Sequence, residues 1–63
     1  MDEELERLRL QSLSYCERLM NQLKRNKEEA DSFLGGDIYT AYVKATDEAY
    51  NKARKTRNKI RNL

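Results

Sequence analysis

Cys16 is the chain's one thiol, and no histidine stands anywhere to act as its base. A nucleophilic cysteine needs such a base or a strongly electropositive setting. Catalysis of the serine–histidine or cysteine–histidine kind is therefore excluded by composition. A lone thiol without histidine builds no structural zinc site, and one cysteine forms no internal disulfide. Eleven carboxylates are present, but a pair of them needs a cleft that keeps water out, which a narrow helical surface does not offer. Gly35 and Gly36 fall between helical stretches, not between strand and helix, so they do not read as a phosphate loop. The expectation is a protein that is not an enzyme, with no cofactor, no metal and no small-molecule substrate.

What remains able to recognise something is charge and apolar surface. Arg54, Arg57 and Arg61 recur at i, i+3, i+7 near the end of the chain, a row that can follow a phosphate backbone. The same row, with Lys52, Lys55 and Lys59 opposite, can also cover a packing seam with its stems and complement a helix C-terminus. No helix-turn-helix, RNP strand or zinc finger accompanies it. Among the apolar residues, Leu10, Tyr15, Tyr39, Val43 and Tyr50 fall outside the main helical seam and form a second flank, while Leu5 lies on the seam face but overhangs the shorter second helix. A helix with two apolar flanks usually has two neighbours. Those six are the expected interaction residues, and Arg54, Arg57 and Arg61 the candidates for phosphate.

The elements that position them follow from spacing. The chain of 63 residues holds no proline, and its only two glycines sit together as Gly35-Gly36-Asp37. A glycine past a helix end accepts the left-handed conformation, and an aspartate can cap the helix that follows. Gly35 is expected to close the first helix and Asp37 to open the second. At ~100° per residue, Leu5, Leu8, Ser12, Cys16, Leu19, Leu23, Ala30, Phe33 and Leu34 share one face before the turn, widened by Leu13 and Met20. Ile38, Tyr42, Ala45, Ala49, Ala53, Thr56, Ile60 and Leu63 share one after it. The reading is all-α: a single domain over 1–63, helix 1 about 2–34, turn 35–37, helix 2 about 38–62. Asp2, Glu3, Glu4 and Glu6 suit a helix N-terminus, whereas Glu28, Glu29 and Asp31 have the wrong sign for a C-terminus. Helix 1 could accordingly fray from Asp31.

Folding these helices antiparallel pairs positions whose numbers sum to about 72, so that large residues face small ones at most levels. Leu34 then meets Ile38, Ala30 meets Tyr42, Leu23 meets Ala49, Met20 meets Ala53, and Cys16 meets Thr56. A chain this short buries only roughly 60% of its unfolded surface and has no covalent staple. Pairing into a dimeric four-helix bundle is the expected remedy. The length and hairpin plan resemble the small plasmid RNA-binding regulators of the Rop type, which dimerise into such bundles. The Gly35-Gly36-Asp37 turn with Tyr39 is similar to small helical-hairpin co-chaperones of type III secretion needle subunits, over the turn and the next helical turn only. Neither resemblance carries functional residues onto this chain.

The net charge of +2 implies no polyelectrolyte character. No apolar run approaches the ~20 residues of a membrane span. The acidic opening is unlike a signal peptide, and a single cysteine suits a reducing compartment. A cytoplasmic protein is expected. Its function is expected to be that of a small interaction module, a regulator, inhibitor or adaptor acting through helix–helix packing. Its partner is then a second copy or another helical protein. The alternative is a Rop-like nucleic-acid-binding regulator using the basic half of helix 2.

Overall fold

In a computed structural model describing residues 2–63, the chain forms two helices, α1 (Glu3–Phe33) and α2 (Gly36–Arg61), packed as an antiparallel hairpin. Both boundaries lie within two residues of expectation. α1 opens on Asp2, whose extended backbone and carboxylate make it the N-cap; Oδ1 accepts from the Glu4 N–H at 3.1 Å. That satisfies one of the orphan donors of the first turn. α1 does not fray from Asp31 despite its wrong-signed end. Ala30 is buried, the Leu34 N–H donates to the Ala30 carbonyl at 2.9 Å, and the Tyr39 hydroxyl donates to the Asp31 carboxylate.

The turn corrects the expected roles of its residues. Leu34 and Gly35 are both extended, at φ −106° and −142°, and it is Gly36 that takes the left-handed φ of 60°. Gly35 is therefore the N-cap of α2, and no side chain caps that end. Asp37 lies one residue inside the helix, where its charge still suits the dipole.

The seam also differs from expectation, and by a consistent step. On α1 the buried and half-buried positions include Arg9, Leu13, Cys16, Met20, Leu23, Lys27, Ala30 and Leu34. On α2 they include Tyr39, Val43, Thr46, Tyr50, Ala53, Arg57 and Ile60. Both series alternate steps of four and three, the 3.5-residue period of a coiled coil. The expected row Ile38, Tyr42, Ala45, Thr56 sits one residue, ~100°, away from the real one. Leu5, Leu8, Ser12, Leu19 and Phe33 are displaced from the α1 seam in the same sense. Met20 and Ala53 hold their expected places at the middle of the seam, and the register is close to that expected. Cross-helix contacts join Glu17 to Arg57 and Lys27 to Asp47.

Side-chain chemistry explains the rotation. Thr46 is buried because its hydroxyl donates to the Tyr42 carbonyl one turn earlier, at 2.8 Å. Tyr39 and Tyr50 are half-buried; the Tyr39 hydroxyl emerges beside Asp31, and the Lys24 ammonium stands over the Tyr50 ring. Arg9, Lys27 and Arg57 contribute apolar stems and keep their charges at the rim. The resulting core is a single thin row: Met20, Ala30, Ala53 and Thr46 are buried, and among the described residues no large side chain is wholly enclosed. The Cα envelope measures 53 × 15 × 10 Å.

Candidate functional site: an open apolar face

The hairpin has two unlike broad faces, one on each side of the seam. Residues one position after the seam residues of α1 make the first: Glu17, Lys24 and Asp31. Glu17 Oε1 lies 3.3 Å from Arg57 Nη1 and 3.6 Å from Arg61 Nη2. Lys27 Nζ reaches Asp47 Oδ1 at 3.2 Å, Lys24 stands 5.7 Å from the centre of the Tyr50 ring, and Asp31 accepts from Tyr39. Hydrogen bonding to Asp31 raises the Tyr39 phenol above its ordinary pKa, and desolvation and the Asp31 and Asp47 charges act in the same direction. This face is stitched across by polar contacts.

Residues one position before the seam make the opposite face. In antiparallel helices the same one-residue offset turns both sets to the same side, because reversing the chain direction reverses the sense of rotation. That side carries Leu5, Leu8, Ser12, Tyr15, Leu19, Gln22, Asn26, Glu29 and Phe33 from α1. From α2 it carries Ile38, Tyr42, Ala45, Ala49, Lys52, Thr56, Lys59 and Leu63. Phe33 and Tyr42 line one shallow groove with Asn26 and Glu29, and Leu5 and Leu63 line another at the open end. Phe33 is 82% exposed, Ile38 69%, Leu63 91% and Leu5 64%, with Leu8, Leu19 and Tyr42 also exposed. Glu29, Lys52 and Lys59 are the only charged residues among those positions, in a chain where 38% of residues are charged. The face is a long apolar surface with a polar middle, where Gln22 Nε2 donates to Asn26 Oδ1 at 2.9 Å.

The expected interaction residues divide among three environments. Leu5 and Tyr15 lie on the open face, Tyr15 with the Arg18 guanidinium 5.2 Å from its ring centre. Leu10 is exposed on the polar face. Tyr39, Val43 and Tyr50 are not a free flank at all: they are the half-buried seam of α2. Leu8, Leu19, Phe33, Ile38, Tyr42 and Leu63 were expected inside the hairpin and stand outside it. Their signal was present in the sequence as a second series with the same four–three spacing, one residue before the first.

The arginine row is likewise divided. Arg57 is a seam residue with its side chain 19% exposed, held by Glu17 and 3.9 Å from the Met20 sulfur. Arg61 shares Glu17, and Arg54 is exposed. A phosphate seeking all three would compete with Glu17 for two of them. Cys16 is half-buried in the seam as expected, whereas Thr56, its expected partner, is exposed. Among the described residues no helix is long and apolar enough to cross a membrane.

No protein-family model, curated protein or solved structure matches this chain.

Proposed function

We propose that the protein is a small non-enzymatic interaction module, which works by packing the open face of its hairpin against helices of a partner. The observation that carries this reading is the asymmetry of the two faces. One is closed by ion pairs and hydrogen bonds across the seam; the other leaves Phe33, Ile38, Leu5, Leu8, Leu19 and Leu63 in solvent. Exposed apolar residues scattered singly mean little, but apolar stretches gathered on one side of both helices mark a docking surface. Complete burial of each large side chain contributes roughly 1.5–3 kcal/mol. Half a dozen of them supply ample energy to offset the cost of association.

The nucleic-acid reading draws less support, because Glu17 already engages Arg57 and Arg61. A cytoplasmic setting, suggested by the lone cysteine, belongs to the same proposal. Capture from native cells is the test, with bound protein and nucleic acid both identified. The bait is the wild type beside a Leu19→Asp, Phe33→Asp double variant whose helix content is checked by circular dichroism. A partner protein held by the wild type and lost from the variant is expected. Nucleic acid retained equally by both at physiological salt, with no face-dependent protein, would overturn the reading.

A further inference from the structure

We infer that the occupant of the open face is a second copy of this chain, docked face to face about a two-fold axis along the hairpin, with both turns at the same end. This rests on the interaction reading above and goes on to name the partner. Three observations carry it.

The first is area. The 53 × 15 Å Cα outline of the hairpin presents a face of roughly 800 Å², the amount each partner contributes to a standard stable interface. One hairpin face covering another therefore suffices without any further surface. The second is charge. Self-docking brings each residue type against its own face, so a face rich in one sign would repel its copy; here Glu29, Lys52 and Lys59 interrupt it and Asp2, Glu6 and Arg9 rim its open end, so neither sign dominates. The third is the level of the side chains along the hairpin, which decides the direction. With the turns together, α1 of one copy lies over α2 of the other at equal distance from the turn. Phe33 then lies over Ile38 and Tyr42, Leu8 lies near Leu63, Asn26 lies over Ala45 and Ala49, and Leu19 and Tyr15 lie level with Lys52, Thr56 and Lys59. Apolar residues meet at the two ends, and between them apolar side chains lie over small ones or along lysine stems. With the turns at opposite ends, α2 would lie over α2. Because α2 starts at the turn but, at 26 residues against 31, stops roughly 7 Å short of the full length of α1, Ile38 would then project beyond the end of its counterpart. That leaves the most turn-proximal apolar group of α2 without a facing helix.

The experiment combines sedimentation with a distance measurement. Sedimentation equilibrium of the wild type over a concentration series is expected to show a monomer–dimer equilibrium. Leu19→Glu is expected to abolish the dimer, and Leu10→Glu, an equally apolar exposed site on the polar face, to leave it unchanged. For direction, a spin label is placed at the turn in an Asp37→Cys, Cys16→Ala variant, and label-to-label distance is read by pulsed dipolar spectroscopy. Turns together predict a short separation, about 20 Å or less. Turns apart predict one near the 53 Å length of the hairpin. A long separation overturns the arrangement, and so does dimerisation that is equally sensitive to Leu10→Glu. A wild-type monomer with an intact helical spectrum overturns the second copy as occupant. That result leaves the interaction reading to its own capture test, which fails only if no protein binds through Leu19 and Phe33.

Discussion

Replacing the two turn glycines one at a time tests the backbone account of the hairpin more sharply than any core change. Gly36 has φ 60° and Gly35 has φ −142°, and a Cβ built on either meets nothing within 4 Å. Steric contact thus drops out of the comparison. Alanine at either site also stiffens the unfolded chain alike, a gain of about 0.4–1 kcal/mol. What differs is the left-handed backbone, which costs an L-residue about 1–2 kcal/mol at position 36, against roughly 0.5 kcal/mol at 35, where alanine is a poorer N-cap than glycine. Gly35→Ala should therefore stay close to the wild type, and Gly36→Ala should fall below Gly35→Ala by about 0.5–1.5 kcal/mol. In a domain of this size the gap corresponds to a difference in Tm of roughly 5 °C or more. Thermal melts followed by far-UV circular dichroism measure it, at one fixed protein concentration because association raises Tm. Gly36→Asn should recover part of the loss, since asparagine tolerates this region. Equal melting of the two alanine variants, or greater damage at Gly35, would refute the reasoning.

Other outcomes follow from the caps, the seam and the turn-end hydrogen bond. Asp2→Ala should cost about 0.5–2 kcal/mol by removing the cap bond to Glu4, whereas Asp37→Ala should cost less than about 0.5, since its carboxylate caps nothing; urea melts distinguish them. Met20→Ala should cost at least about 2 kcal/mol at the middle of the seam, where Met20 is 5% exposed. Leu10→Ala, on the polar face, should stay within about 0.5 kcal/mol by the same assay. Hydrogen bonding to Asp31 favours the protonated Tyr39 phenol and raises its pKa above the ordinary tyrosine value. Its contribution is therefore complete below that ordinary value and is lost as pH rises through the raised one. Tyr39→Phe should remove this alkaline loss, as read by helix content against pH.

Much of the architecture was legible residue by residue. The absence of proline and the 3–4 spacing required long helices, and the single glycine pair located the break between them. Acidic residues at the start of α1 marked its N-terminus, and Asp2 serves as its cap. The exchange of roles between Gly35 and Gly36 was not legible. Either glycine can adopt the left-handed conformation, and only closure of the turn onto the seam selects which one does. The fraying expected from Asp31 did not occur, because a neighbour distant in the sequence, Tyr39, supplies that carboxylate with a donor.

The sequence by itself determined that this chain is an antiparallel pair of helices, near which register they meet, and that it carries more apolar surface than one seam uses. It also determined that no histidine is present to act as a base or a ligand, since residue types depend on no fold. Only the tertiary structure decided which of two adjacent stripes becomes the interior. The stripes differ by one residue and share the same period, so neither helix propensity nor hydrophobic pattern separates them. On apolar content alone, Ile38, Tyr42, Ala45 and Ala49 look the better seam. Tyr39, Val43, Thr46 and Tyr50 take its place, and that rotation sets Asp31, Lys24, Asp47 and Glu17 beside partners on the other helix. Such contacts exist only between chain segments already side by side, so no spacing along the sequence reveals them. The apolar face left outside is the consequence of that choice.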